Sequence, residues 1–258
     1  MILTEIQKYC NCLWGQHIQL HPCVESTNTL AKELARGNAP HGTVVLSDSQ
    51  TGGRGRMGRH FHSPAGNGIY MSVVLRPEGG MENLMHLTCA AAVAMCFAIE
   101  KVTGVDCRIK WTNDLIAENK KVGGILTEPL FCGSDVAVVL GIGINCRQSP
   151  EDFPPELRSI AGSLSMAGAR DFSRSALAAA MIDAVYEMWA GILSRQAEIM
   201  AEYRARCVTL GKTVVLPDGR QGTAVSVTDA GALEVDTGGE VLRIAAGEVS
   251  IRTPGGYI

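Results

Sequence analysis

The sequence predicts an α+β protein of two domains, and two observations support this prediction. From residue 25 to residue 206, segments with helical periodicity alternate with short apolar runs that are typical of strands. Beyond Cys207 the pattern changes to short strands separated by Gly, Asp and Pro turns, which indicates a compact β-barrel. We therefore expect a larger domain over residues 1–206 and a small domain over residues 207–258.

The first elements of the larger domain are a helix and two strands. ESTNTLAKELARG predicts a capped helix, because Ser, Thr and Asn at 26–28 can accept hydrogen bonds from the first turn and Gly37 is a natural stop. TVVLS at 43–47 is rich in β-branched residues and predicts a strand. After a glycine-rich loop, GIYMSVVLRP predicts a second strand, which Pro77 closes.

The rest of the larger domain continues this alternation. ENLMHLTCAAAVAMCFAIEKVTG predicts a long, well-buried helix that ends at Gly104. Three strand candidates follow, joined by polar turns: CRIKW, KVGGILTEPLF and DVAVVLGIGINC. A proline-rich link then leads to helical sequence from about Arg174 to Arg206.

Composition limits the classes of function. Lys and Arg number 23 against 26 Asp and Glu, a net charge of -3, which argues against a globally basic nucleic-acid binder. The first residues lack a basic segment followed by a long apolar run, so we predict no signal peptide. The most apolar later stretch, LTCAAAVAMCFAI, is too short to span a bilayer, and we expect no membrane association.

Cysteine usage indicates a reducing compartment. The nine cysteines are an odd number, are scattered and form no C-x-x-C motif. Cys10 and Cys12 are the closest pair, at a spacing that suits neither a zinc knuckle nor a redox motif. We expect reduced thiols in a cytoplasmic protein.

The loop GGRGRMGR, residues 52–59, is the most informative motif. Glycines let backbone N–H groups approach an anion, and arginine offers a fixed fork of donors for phosphate or carboxylate oxygens. The pattern is neither a Walker A loop nor a Rossmann turn, since it lacks G-K-[ST] and no helix follows it. It predicts a phosphate clamp that orders on its ligand, and the alternative is a mobile surface loop.

Two further segments contain candidate site residues. RIKWTNDLIAENKKVGGILTE, residues 108–128, places an Asn–Asp pair and two lysines at what we interpret as the tips of one hairpin. Such groups could orient a nucleophile and neutralise an oxyanion, although ND and KK are also ordinary hairpin turns. GIGIN, residues 141–145, ends an apolar strand, and its glycines allow either a close ligand or a tightly packed strand end.

Together these motifs resemble the signature series of biotin protein ligases, in the family's order and spacing. The matching segments are ESTN at 25–28, GRGRMGR at 53–59, KWTND at 110–114, KKVGGILTE at 120–128 and GIGIN at 141–145. The tail GALEVDTGGEVLRIAAGEVSIR resembles the family's small SH3-like domain. The resemblance implies a catalytic domain built on a mixed β-sheet with helices packed on one face, plus a C-terminal SH3-like barrel.

The resemblance also implies roles for individual residues. Biotin would be bound by Ser26, Thr27, Asn28, Gln50, Gly53, Arg54, Gly124 and Gly143. ATP and the adenylate would be bound by Arg54, Gly55, Arg56, Arg59, Phe61, Lys121 and Asn113. The catalytic residues would be Lys121, Arg56, Arg59, Asp114 and Asn113, and Mg²⁺ would accompany the ATP phosphates with Asp114 as its candidate ligand.

The sequence departs from the family pattern at two positions. Thr112 stands where the family commonly has proline, so the turn lacks a fixed φ and we expect a softer hairpin. Phe61 stands where the family usually has tryptophan, and it still supplies an aromatic face over the adenine. Neither departure removes a charged group.

The activity implied by the resemblance is formation of biotinyl-5′-AMP from biotin and ATP, followed by transfer of biotin to a lysine. The implied partner is the biotin carboxyl carrier domain of a carboxylase, and a homodimer is compatible with the family. Only residues 1–24 precede the Ser-Thr-Asn segment, too few for a DNA-binding domain, so we expect no DNA binding. The alternatives are a lipoate–protein ligase, a non-catalytic biotin or adenylate sensor, and an RNA-binding protein.

Overall fold

The large sheet of the protein has seven strands. The computed structural model describes residues 1–77, 84–132, 135–216 and 218–245. The strands run in the order β1-β2-β3-β7-β6-β5-β4. Their bounds are β1 Ile18–His21, β2 Thr43–Ser47, β3 Gly68–Leu75, β4 Arg108–Lys110, β5 Asp114–Ala117, β6 Lys120–Cys132 and β7 Asp135–Asn145.

The sheet is mixed, as the sequence and the family resemblance together predicted. β1 pairs with β2 in parallel, and every other neighbouring pair in this sheet is antiparallel. β3, β6 and β7 form the centre, with Gly143 of β7 opposite both Tyr70 of β3 and Gly124 of β6. β5 and β6 are joined by a tight turn in which Glu118 and Asn119 both have positive φ, the conformation that suits two-residue hairpins.

Helices cover both faces of this sheet. The helices are α1 Leu3–Tyr9, α2 Thr27–Arg36, α3 Leu84–Thr103, α4 Arg174–Gly191 and α5 Gln196–Arg206. α1, α3, α4 and α5 pack together on one face, where most of the core lies. α2 packs on the opposite face, with Ala31 and Ala35 against Val45, Val74 and Val139. Four helices therefore pack on one face of the sheet, as expected, whereas α2 packs on the other face.

Several helix ends follow from local sequence. The Ser26 hydroxyl accepts a hydrogen bond from the Thr29 amide at 3.5 Å, and Gly37 follows the last residue of α2, as the capping pattern predicted. α3 ends before Gly104, which has φ +72°. The helical sequence predicted from about Arg174 to Arg206 forms two helices, α4 and α5, which a turn over residues 192–195 separates.

α3 occupies nearly the whole stretch that was predicted as a long helix. By length and composition, Met85–Thr103 could cross a membrane, although the apolar run LTCAAAVAMCFAI within it is too short to do so alone. Most of this stretch is buried in the protein, against α4, α5 and β6. That burial is typical of the core helix of a globular domain.

A second, antiparallel sheet of four strands follows α5. It runs in the order β11-β10-β9-β8 and comprises β8 Thr213–Val215, β9 Gln221–Val227, β10 Leu233–Asp236 and β11 Val241–Ile244. The Trp111 indole N–H donates to the Gly231 carbonyl at 2.9 Å, which connects this sheet to the β4–β5 turn. A small C-terminal β unit is thus confirmed. Its closure into a barrel and the boundary at residues 206/207 stay predictions, and residues 246–258 of the predicted domain lie outside the described residues.

Candidate functional site

A cavity of about 1060 Å³ lies on the face of the large sheet that carries α2. The N-terminus of α2, the arginine-glycine loop, β5, β6, β7 and the segment 153–161 surround it. Of the residues predicted for the site, those that line the cavity are Ser26, Thr27, Asn28, Gln50, Arg54, Gly55, Arg56, Arg59, Phe61, Asn113, Asp114, Lys121, Gly124 and Gly143. The motifs therefore converge, although they are spread over more than a hundred residues of chain.

Gly53 is the predicted site residue that does not line the cavity. It is buried in the base of the loop, where its carbonyl accepts the Phe61 amide at 2.9 Å. A Cβ at this position would lie 2.4 Å from the Phe61 carbonyl oxygen, so only glycine fits. Gly53 shapes the loop in this structure and does not contribute to the cavity wall.

The floor of the cavity is β7, and its glycines are required by close neighbours. A Cβ at Gly141 would lie 2.1 Å from Asn28 Oδ1, and a Cβ at Gly143 would lie 2.7 Å from Phe61 Cε1. Side chains from α2 and the loop therefore pack directly on the strand backbone. GIGIN is a tightly packed strand end in this structure, and the same segment lines the cavity, so its contact with a ligand stays a prediction.

The uncharged side chains of Thr27, Asn28, Gln50, Ser63 and Ser72 are joined by hydrogen bonds on the α2 side of the cavity, and we call this set the polar group. Gln50 Oε1 accepts from the Thr27 amide at 2.9 Å and from its hydroxyl at 3.1 Å. Gln50 Nε2 donates to Ser63 Oγ at 2.9 Å, and the Ser63 hydroxyl donates to the Phe61 carbonyl at 2.9 Å. These bonds orient the Gln50 amide and connect the N-terminus of α2 to the arginine-glycine loop.

The polar group continues through Asn28 to a charged pair. The Ser72 hydroxyl lies 2.6 Å from Asn28 Oδ1 and 2.8 Å from Thr27 Oγ1. On its other side, Asn28 Nδ2 donates to Glu128 Oε2 at 2.8 Å, and Lys32 Nζ lies 2.5 Å from Glu128 Oε1. Glu128 therefore determines which way the Asn28 amide points, because only the NH₂ end can donate to a carboxylate.

The arginine-glycine loop folds back over the cavity. The Gly55 amide donates to the Arg59 carbonyl at 2.8 Å, which closes the loop on itself. The Arg56 guanidinium donates to Asn113 Oδ1 at 3.0 Å and to Thr112 Oγ1 at 3.3 Å. Burial lowers the pKa of the Arg56 guanidinium, and the nearby Asp114 carboxylate acts in the opposite direction. The loop thus presents a partly desolvated cation against the β4–β5 turn.

Lys121 and Asp114 form an ion pair at the opposite wall. Lys121 Nζ contacts Asp114 Oδ1, and both side chains are about three-quarters buried or more. The Lys121 backbone is fixed by hydrogen bonds from its amide to the Ile160 carbonyl and from the Gly162 amide to its own carbonyl. The side chain of Asn113 is fixed as well, since its Nδ2 donates to the Ile125 carbonyl at 2.7 Å.

The hairpin interpretation of residues 108–128 needs one correction. β4, β5 and β6 form a meander of three strands, so the Asn–Asp pair and the two lysines lie at opposite ends of β5 rather than at the tips of one hairpin. Lys121 reaches Asp114 through its long side chain, across a bulge in β5. Lys120 points away and donates to the Ser159 and Arg158 carbonyls.

The two sides of the cavity differ in charge. Thr27, Asn28 and Gln50 beside α2 are uncharged donors and acceptors, whereas the loop and β6 contribute Arg54, Arg56, Arg59 and Lys121. Such an arrangement suits a ligand with a neutral polar group at one end and anionic groups at the other. The Phe61 ring adds an aromatic face between them, over Gly143.

Sequence reasoning missed three parts of the site. Ser72 and Glu128 complete the polar group around Asn28, and segment 153–161 supplies a wall. Glu128 ends the quoted motif KKVGGILTE, but its partner Asn28 lies 100 positions away in sequence. A carboxylate on the same sheet face as Gly124 and Gly143 was the one signal that could have identified it.

Known proteins resemble this chain along most of its length. The sequence model of the Biotin/lipoate A/B protein ligase family matches residues 20–145. The Biotin--[acetyl-CoA-carboxylase] ligase of Mycobacterium tuberculosis is 32% identical over 245 residues, which cover 90% of this chain and 88% of that protein. The Bifunctional ligase/repressor BirA of Bacillus subtilis is 48% identical over 162 residues, 62% of this chain and 50% of that protein.

Solved structures agree with these sequence matches. The biotin protein ligase from Aquifex aeolicus in complex with biotin and ATP superimposes with a TM-score of 0.81 at 28% identity, covering 92% of this chain and 99% of that chain. The biotin protein ligase from Leishmania major in complex with biotin gives a TM-score of 0.63 at 25% identity, covering 89% and 98%. The match to the Bacillus relatives spans about half of their length.

Proposed function

The chain belongs to the biotin protein ligase family, and from this membership and its cavity we propose that it is an ATP-dependent biotin ligase. It activates biotin as biotinyl-5′-AMP and transfers the biotinyl group to a lysine of a carboxylase's biotin carrier domain. The observation that supports this proposal most directly is that uncharged polar side chains, three arginines and Lys121 line one and the same cavity. The Aquifex ligase of the same fold was solved with biotin and ATP.

In the first step, a biotin carboxylate oxygen attacks the α-phosphorus of ATP. The new O–P bond gives biotinyl-5′-AMP, and the bond to the bridging oxygen breaks to release pyrophosphate. Two anionic groups must approach each other here, so cations that are already in place lower the barrier. Lys121, Arg56 and Arg59 are assigned to this task, with Arg54 and the Gly55 backbone at the phosphate.

In the second step, the neutral ε-amine of the acceptor lysine attacks the acyl carbon. The C–N bond forms, the bond between the acyl carbon and the AMP oxygen breaks so that AMP leaves, and the proton that the amine loses passes to solvent. Lys121 and Asn113 stabilise the charge that develops on the acyl and phosphate oxygens, and Asp114 orients Lys121 through their ion pair. The loop excludes water from the anhydride between the two steps.

The biotin ring would bind on the α2 side. Its cyclic urea has one carbonyl and two N–H groups, which match the mixed donors and acceptors of Ser26, Thr27, Asn28 and Gln50. The backbone at Gly124 would lie against the ring. Phe61 packs over Gly143, between this side and the cations, and the adenine would stack on the Phe61 ring.

The cavity offers one carboxylate that suits Mg²⁺. Among the described residues that line the cavity, Asp114 alone offers a carboxylate. One carboxylate plus substrate phosphates is a usual environment for Mg²⁺. Asp114 would hold the ion against the ATP phosphates, where Mg²⁺ would neutralise part of their negative charge.

The test is ATP–pyrophosphate exchange with purified protein and Mg²⁺, run separately with biotin, with lipoate and with neither. We expect exchange with biotin alone. Exchange with lipoate would assign the chain to lipoate chemistry, which the matching family also includes. Folded protein that exchanges with neither acid would indicate a sensor and refute the enzymatic proposal.

The acceptor is tested separately. A purified biotin carrier domain with its target lysine intact should gain one biotinyl group by mass, and the same domain with that lysine changed to arginine should gain none. Biotinylation of both carrier forms to the same extent would refute the specific transfer.

A further inference from the structure

Two thiols and one carboxylate converge outside the cavity, where the end of α1 meets α4. Cys10 follows the last residue of α1, Cys12 lies two residues on, and Asp183 belongs to α4. Their sulfur atoms are 3.7 Å apart, and Cys10 Sγ lies 3.2 Å from Asp183 Oδ1. All three groups offer a ligand atom within 4.8 Å of the other two, and all three are partly buried.

These separations match the edges of a tetrahedral zinc site. Zn–S bonds of about 2.3 Å and Zn–O bonds of about 2.0 Å at tetrahedral angles place two sulfurs roughly 3.8 Å apart and a sulfur and an oxygen roughly 3.5 Å apart. The observed distances are 3.7 Å and 3.2 Å. These two separations are therefore within a few tenths of an ångström of the coordination geometry, and the third pair, Cys12 Sγ and an Asp183 carboxylate oxygen, lies within 4.8 Å.

We propose that Cys10, Cys12 and Asp183 form a binding site for one Zn²⁺ ion. The ion takes both sulfurs as thiolates and one carboxylate oxygen, and the two thiol protons leave to solvent. A water molecule completes the tetrahedron on the exposed side, next to Asn11. Two thiolates and a carboxylate together carry three negative charges, of which a divalent cation offsets two.

The surroundings hold the ligands in place. The Asp183 carboxylate accepts hydrogen bonds from the backbone amides of Asn11 and Cys12, at 2.9 and 3.0 Å, and from Asn11 Nδ2 at 2.9 Å. These donors act as the outer shell that orients a carboxylate ligand. The Cys10 amide is itself fixed by a bond to the Ile6 carbonyl at 2.9 Å.

The packing also leaves space for the sulfur. A Cβ at Gly15 would lie 3.0 Å from Cys10 Sγ, so a side chain at Gly15 would crowd the site. The ion would connect the segment after α1 to α4, two parts of the chain more than 170 positions apart. The C-x-C spacing gave no zinc pattern in the sequence because the third ligand comes from this distant helix.

The test uses full-length protein, reduced and stripped of metal with a chelator, then incubated with Zn²⁺ and desalted. Metal content by mass spectrometry should reach about one equivalent per chain, as for a built three-ligand site. Co²⁺ in place of Zn²⁺ should give a thiolate-to-cobalt absorption band. In both Cys12→Ser and Asp183→Asn, affinity measured against a chromophoric chelator should fall at least about tenfold.

The matched control is Cys23→Ser, which changes an exposed cysteine away from the cluster and should bind zinc as the wild type does. Circular dichroism establishes that each variant is folded. If the cysteine variant does not fold, Asp183→Asn still tests the site, because asparagine keeps the shape of the side chain. Wild-type protein that retains no zinc would overturn the proposal. So would unchanged affinity in both ligand variants.

Discussion

Replacing Glu128 by alanine tests whether the polar group beside α2 is held in place from outside the cavity. In the native protein, Glu128 accepts a hydrogen bond from Asn28 Nδ2 and pairs with Lys32. The substitution removes both contacts and leaves the Asn28 amide without its acceptor. Asn28 is only 4% exposed, so solvent cannot readily replace the lost partner.

The expected magnitude follows from these two contacts. An unsatisfied buried amide donor costs about 1–3 kcal/mol, whereas a partly exposed ion pair contributes about 0.2–1 kcal/mol. Glu128→Ala should therefore lower the free energy of unfolding by about 2 kcal/mol. Glu128→Gln keeps a carbonyl that can accept from Asn28 and loses only the charge, so its loss should stay below about 1 kcal/mol.

Urea denaturation at 25 °C measures both variants, with Lys32→Met as the control that removes the ion pair alone. In biotin-dependent exchange, Glu128→Ala should raise the KM for biotin about tenfold, the equivalent of roughly 1.4 kcal/mol, and change kcat little. A glutamine variant that loses as much stability as the alanine variant would show that charge, not the Asn28 hydrogen bond, dominates. An alanine variant within about 0.5 kcal/mol of wild type would refute the reasoning outright.

Three further changes test the charged wall and the core. Lys121→Ala should slow both adenylation and transfer from preformed biotinyl-5′-AMP by about 10²–10³, the scale of one lost oxyanion contact; near-normal rates would remove Lys121 from the mechanism. Arg56→Gly should release the adenylate, seen as biotin on lysines of bystander protein, and full retention would disprove the lid role. Burial raises the pKa of the Cys89 and Cys146 thiols from 9.0 to about 12. Above pH 9 the unfolded chain therefore holds fewer protons than the native chain, and between about pH 10 and 11 the free energy of unfolding should fall by about 1.4 kcal/mol per pH unit for each thiol. Burial also raises the pKa of the Cys10, Cys12 and Cys207 thiols, so the slope contains more than two contributions. Denaturation between about pH 10 and 11 should give a slope that is smaller by about 1.4 kcal/mol per pH unit in Cys146→Ala than in the wild type, and unchanged in Cys23→Ala.

The parts of the fold that were predictable have strong local signals. α2 has a serine cap and a glycine stop, and β2 and β3 are continuous apolar runs bounded by turns. α1 and β1 are short and were not identified, because elements of this size depend on tertiary packing. The face on which α2 packs was likewise beyond a single-sequence argument, since periodicity shows that a helix has an apolar side but not which layer covers it.

The site was predictable where a motif is compact in sequence. The arginine-glycine loop and the Lys121 segment each contain several functional groups within a few residues. Glu128 and Asp183 were not identified as site residues, because their partners lie 100 or more positions away. For such residues the sheet register and helix packing determine the contact, and neither is a local property of the sequence.

Hydrogen bonds connect the α2 side of the cavity, the proposed position of the biotin ring, to the arginine-glycine loop. Gln50 binds Thr27 through its oxygen and Ser63 through its nitrogen, and Ser63 in turn binds the Phe61 carbonyl at the end of the arginine-glycine loop. A ligand that reorients the Gln50 amide must therefore change the bond to Ser63 as well. Since the Phe61 amide closes the loop base at Gly53, such a change reaches the segment that contains Arg56. We therefore expect a ligand bound beside α2 to influence the positions of the loop arginines.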